Sequence, residues 1–83
     1  MNELARTPRQ LGNFIRRTRK SLGLTQAQLG EKAGLRQETI SLIETGNPAT
    51  RLDTILRVLA ALDLELRVAK RSRGSAAEIE EIF

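Results

Sequence analysis

Apolar residues between Leu11 and Leu62 recur every three or four positions, the spacing of helices that bury one face. A first helix opens at Thr7-Pro8-Arg9-Gln10. Thr7 is a capping hydroxyl, Pro8 suits a first helical position whose N–H is not needed, and Gln10 completes a capping box. Leu11, Phe14, Ile15, Thr18 and Leu22 form its inner stripe, and Gly23 ends it in a left-handed residue. Thr25-Gln26-Ala27-Gln28 is a second box, opening about two turns in which Leu29 and Ala33 face inward before Gly34. Leu35 leads into a third helix over 37–45, with Ile40 and Ile43 as its core face and Gly46 behind it. Past the turn Asn47-Pro48-Ala49, Thr50 with Asp53 three residues on opens a fourth helix. Its inward positions are Leu52, Ile55, Leu56, Leu59 and Leu62.

At Asp63 the period changes. Leu64-Glu65-Leu66-Arg67-Val68 alternates apolar and charged, the pattern of a half-buried strand. A single strand leaves its backbone groups unpaired, so it docks on the helices or pairs with its own copy in a second chain. Antiparallel pairing of two copies, burying Leu64, Leu66 and Val68, is the expectation, because docking within one chain leaves an edge open. Residues 70–75 are charged and small and read as a linker. Ser75-Ala76-Ala77-Glu78 is a further capping box, placing Ile79, Ile82 and Phe83 on a nascent helix. Three apolar side chains in an acidic segment read as an anchor that folds on a partner, or as a frayed end. The expected organisation is a flexible arm at 1–6, a helical domain at 7–62, a dimerisation strand at 63–69 and a flexible tail at 70–83.

Composition narrows the chemistry. Eighty-three residues make one domain. With no Cys or His, a disulfide scaffold, thiolate or imidazole metal ligands and a His-based triad are excluded. The chain is therefore expected to be no enzyme and to hold neither metal nor cofactor. The longest apolar run, 58–62, is too short for a secretory signal or a membrane span, so a cytoplasmic protein is expected. Net charge is +4, which favours a polyanionic partner. That excess is uneven: residues 1–24 carry +5, residues 25–69 carry −1, and the tail changes sign from Lys70, Arg71 and Arg73 to Glu78, Glu80 and Glu81.

Two short helices, 25–33 and 36–45, joined by a Gly-containing turn are the helix-turn-helix layout. One such helix lies with its positive end at the phosphate backbone, and the other presents side chains to base edges in the major groove. The string LGLTQAQLGEKAGLRQETISLIETG, residues 22–46, resembles the Xre/Cro-type helix-turn-helix of phage and bacterial repressors. The L-T-Q opening, A-G-L turn, T-I-S core and closing I-E-x-G carry the likeness, which spans about 7–62 with the flanking helices. It implies an all-α, lambda-repressor-like domain of four or five helices, binding a palindromic double-stranded DNA operator as a homodimer.

The resemblance also implies roles. Gln26 matches the family's phosphate clamp, or merely starts the second helix. Gln37 opens the recognition helix, where its amide can pair with adenine, or it is a plain surface residue. Ser41 lies one turn further on, able to bond a base edge or a phosphate, or is a tolerated small surface residue; Thr39 stands between a phosphate contact and helix packing. Arg36 replaces the usual Ser or Thr cap, a loss of about 0.5–2 kcal/mol. That loss is explained if its guanidinium reaches guanine or phosphate, or Arg36 sits on a tolerant turn. Glu38, central on the exposed face, either accepts from cytosine N4 or favours the helix N-terminus electrostatically. Arg19 and Glu44 match an internal ion pair of the fold, while Arg9, Arg16 and Lys20 form a solvated face adding diffuse attraction.

The strand directly after the fourth helix and the tail make the layout similar to HipB-type antitoxins, which repress their own operon as dimers and bind a HipA-type serine/threonine kinase toxin. On that likeness the chain is the antitoxin of a type II toxin-antitoxin module, with Ile79, Ile82 and Phe83 as a toxin-binding tail. A stand-alone prophage-like or metabolic repressor is the alternative. So is an interaction adaptor that no longer reads DNA, which the nearly neutral middle and Glu38 keep open.

Overall fold

Ile15, Leu29, Ile40 and Val58 are wholly removed from solvent, and each comes from a different helix. The computed structural model describes residues 3–71, whose regular structure is α1 (Pro8–Ser21), α2 (Gln26–Ala33), α3 (Gln37–Glu44) and α4 (Leu52–Ala61). Ala33, Ile43, Leu59 and Leu62 complete the core, with Leu11, Leu24, Leu35, Ile55 and Leu64 packed half-buried around it. The described chain is thus all-α, its helices joined by short turns.

Local chemistry sets the helix ends. Thr7 Oγ1 accepts from the Gln10 N–H at 3.1 Å with Pro8 at the first position. The Gln10 carboxamide oxygen accepts from the Arg6 N–H at 2.7 Å, so this box closes one residue further out than expected. At the far end, the Gly23 and Leu24 N–H groups donate to the Lys20 and Arg19 carbonyls at 3.0 and 3.1 Å. That is the paired-bond ending that needs a left-handed residue between helix and loop. Leu22, expected inward, is exposed, because it is the cap residue and the helical period no longer places it.

Between α1 and α3 the contact is backbone on backbone. Gly12 is buried, and a Cβ there would overlap the carbonyl oxygens of Ile43 and Glu44. Its missing side chain is what lets the two helices approach.

The start of α4 departs from expectation. Thr50 is no cap: its hydroxyl donates to the Asn47 carbonyl at 3.1 Å. Asn47 Oδ1 accepts from the Ala49 N–H at 2.9 Å, an Asx-type turn that draws Thr50 back into the loop. The helix starts one residue later, from Arg51, which makes no side-chain cap bond and pairs with Asp53 at 3.1 Å. Leu52 and Leu56, also expected inward, are exposed: α4 buries the narrower face of Val58 and Leu59, leaving these two on its flank at i, i+4. At its end the Asp63 and Leu64 N–H groups donate to the Ala60 and Leu59 carbonyls at 3.0 and 2.7 Å, with Asp63 at φ 60° where glycine is usual.

The expected strand is not formed. Asp63 belongs to the α4 ending, Leu64 packs half-buried on the core, and no strand exists among the described residues. Leu66 is exposed and Val68 is 95% exposed. A strand needs a neighbour to exchange backbone hydrogen bonds with, and among the described residues the segment 65–71 exchanges none. The arm has no regular structure at 3–6 but is tied to α1 by the Arg6 bond and by Glu3 to Arg17 at 3.2 Å. The expected linker from residue 72 on and the anchor residues Ile79, Ile82 and Phe83 lie outside the described residues.

Candidate nucleic-acid interface

The start of α2 is held by a full capping box: Thr25 Oγ1 accepts from the Gln28 N–H at 3.0 Å, and Gln28 Oε1 from the Thr25 N–H at 2.8 Å. This orients the first turn and leaves the Gln26 and Ala27 N–H groups without an intrahelical acceptor. At the other end Gly34 adopts φ 71°, ψ 35°, a left-handed turn an L side chain rarely tolerates. The Leu35 N–H returns to the Gly30 carbonyl at 2.8 Å, and the Arg57 guanidinium donates to the Gly34 carbonyl at 3.1 Å. So α4 fastens the turn that sets α3 against α2.

Beneath this surface lies a charged cluster. Arg19 Nε and Nη2 donate to Glu44 Oε2 and Oε1 at 2.6 and 3.1 Å, with side chains only 9% and 2% exposed. Arg19 Nη1 donates to the Leu24 carbonyl at 2.7 Å. Gln26 Nε2 donates to Glu44 Oε1 at 3.1 Å. A desolvated ion pair needs its remaining hydrogen-bonding capacity filled, and Leu24 and Gln26 fill it. One buried carboxylate thereby joins α1, the α1–α2 turn, the first residue of α2 and the last of α3.

The recognition-helix candidates fall as follows. Arg36 caps α3 with no side-chain bond, its carbonyl accepting from the Thr39 and Ile40 N–H groups at 3.1 and 3.3 Å. Gln37 and Glu38 are exposed in the first turn, and Ser41 and Thr39 are half-buried along the two edges. Ile40, Ile43 and Glu44 form the inner side. Gln26 sits half-buried at the start of α2, with one amide hydrogen on Glu44 and the second uncommitted among the described residues. Arg9 lies against Gly46 just past α3, so the basic face of α1 begins beside the end of α3. Leu64, Leu66 and Val68 stand apart, beyond α4. Leu42 shares the outer face of α3 and is 50% exposed; having no polar group, it escapes a search for base-reading side chains. Its angular position, one turn after Glu38, is the signal that finds it.

Residues 15–68 match the family described as Helix-turn-helix. Antitoxin HipB of Escherichia coli O6:H1 strain CFT073 is 35% identical over 78 residues, covering 92% of this chain and 83% of that protein. The chain belongs to the HipB-containing helix-turn-helix family. The HipB of E. coli strain K12 is 32% identical over 75 residues, covering 90% and 85% of the two chains. Among solved structures, HipB in a HipB-O4 20mer complex superposes with a TM-score of 0.79 at 31% identity, over 86% of this chain and 100% of that one. A HipA-HipB-O2-O3 complex gives 0.77 at 33% identity, again over 86% and 100%. The four described helices are therefore those of a HipB-like helix-turn-helix fold.

Proposed function

We propose that this chain is a sequence-specific, DNA-binding repressor and the antitoxin of a toxin-antitoxin module. It would act as a homodimer on a palindromic operator of its own operon and neutralise a HipA-type kinase. The observation that carries the reading is the anchoring of α3: its inner side is buried and tied through Glu44 to Gln26, leaving Gln37 and Glu38 exposed and Ser41 at its edge as a preformed reading surface. Gln26 turns its second amide hydrogen to a phosphate beside the start of α2, where the helix dipole also favours negative charge. Gln37 pairs with adenine, Arg36 with guanine or phosphate, Glu38 with cytosine N4, and Ser41 and Thr39 bond the groove edges.

Segment 64–68 pairs antiparallel with its copy, covering Leu66 and Val68, which a single chain leaves exposed. Ile79, Ile82 and Phe83 anchor the toxin. The likeness to HipB and to a HipA-HipB-O2-O3 complex supports the toxin half. Among the described residues no helix is long and apolar enough to cross a membrane. The protein acts by binding, in the cytoplasm, and catalyses nothing.

Selection from a random duplex library by the full-length protein tests the DNA half. Two inverted half-sites about one helical turn apart, bound with affinity that falls steeply as salt rises, are expected. No enrichment, or binding indifferent to salt, would end the repressor reading. Co-purification from the native host tests the other half: a kinase-sized partner is expected, and its absence leaves a stand-alone repressor.

A further inference from the structure

On α3 the buried residues Ile40, Ile43 and Glu44 define the inner direction. At about 100° per residue, the opposite direction falls on Glu38, Leu42 and Thr45. Gln37 and Ser41 lie to one side and Thr39 to the other. Thr45 has committed its hydroxyl to the Ser41 and Leu42 carbonyls at 3.0 and 3.1 Å. The outermost ridge of the reading helix is therefore Glu38 and Leu42, a carboxylate and a 50% exposed isobutyl group.

Neither suits a phosphate: the carboxylate is repelled by it, and the isobutyl group has nothing to bond it with. A ridge of this composition belongs over base edges rather than over the backbone. There the apolar feature of the major groove is the C5-methyl group of thymine, which cytosine lacks. Resting on the DNA-binding reading above, we infer that Leu42 is a specificity-determining residue that packs on a thymine methyl. Four residues separate it from Glu38, about 6 Å of helix axis. The thymine thus lies within roughly two base steps, at about 3.4 Å each, of the base under Glu38.

The probe is the duplex enriched from the random library, with each half-site thymine replaced in turn by deoxyuridine, which removes the methyl alone. At one thymine, wild type should bind the deoxyuridine duplex about fourfold more weakly, the equivalent of one buried methyl group. Leu42→Ala should bind the thymine duplex more weakly than wild type and be indifferent to deoxyuridine at that position. Leu42→Met, which keeps an apolar contact, should keep the sensitivity. Equal losses in wild type and Leu42→Ala at every thymine, or no loss at any, overturn the inference. So does a Leu42→Ala or Leu42→Met chain that sediments as a monomer while wild type is dimeric, since Leu42 would then be covered by a second copy. A library that enriches no sequence ends the DNA-binding reading itself, a different and recognisable failure.

Discussion

Glu44 shows how one buried side chain ties the interior to the proposed DNA-reading surface. Its two oxygens receive Arg19, and one of them also receives Gln26. Removing the carboxylate strands a guanidinium in the interior, and breaking such a pair costs about 3–5 kcal/mol. Glu44→Ala should therefore lower stability by an amount of that order, read from urea midpoints. Arg19→Met combined with Glu44→Leu should be less destabilised than Glu44→Ala, because no buried charge is left unpaired. Gln37 is the opposite kind of residue, exposed and without a described partner. Gln37→Ala should leave folding unchanged, weaken DNA binding by about 1–3 kcal/mol and relax one base position in a mismatch series. The ion pair is legible in the sequence through the positions of Arg19 and Glu44 in the helix-turn-helix pattern. The Gln26 bond to it is not, since it depends on how far α2 sits from the end of α3.

Helix ends are read well where the capping groups are local. Thr25 and Gln28 act within four residues, and the structure forms both bonds. The start of α4 is not legible because the turn at Asn47 draws the Thr50 hydroxyl to the Asn47 carbonyl, where it donates instead of accepting as a cap. Periodicity likewise shows that Leu52 and Leu56 share a face with Ile55 and Leu59, but the width of the buried stripe depends on what packs there. Gly12 is similar: its need to be glycine is visible only once the Ile43 and Glu44 carbonyls stand over it. The end of α4 supplies a prediction of its own. Asp63 holds φ 60°, which Asp tolerates better than β-branched residues do. Asp63→Val should lose about 1–2 kcal/mol relative to Asp63→Gly in thermal or urea unfolding.

For the whole molecule, the net charge of +4 misdirects: the excess lies in α1, the arm and the tail each summing to zero, while the segment carrying α3 is nearly neutral. Affinity then has to come from using two copies. Leu66→Lys should yield monomers by sedimentation and lose tight operator binding while each chain keeps its helical content, since Leu66 is exposed in the single chain. A dimer that survives this change would place the interface elsewhere, with the exposed Leu52 and Leu56 of α4 the next residues to test.

The two sides of α3 also answer to different demands over descent. Ile40, Ile43 and Glu44 hold the helix in place, and none of them faces outward. On the reading proposed above, exchanging Gln37, Glu38, Ser41 or Leu42 would alter what is read without disturbing what holds the helix. Duplicated copies of such a gene can therefore drift to new target sites by outer-face replacements alone, each intermediate still folded.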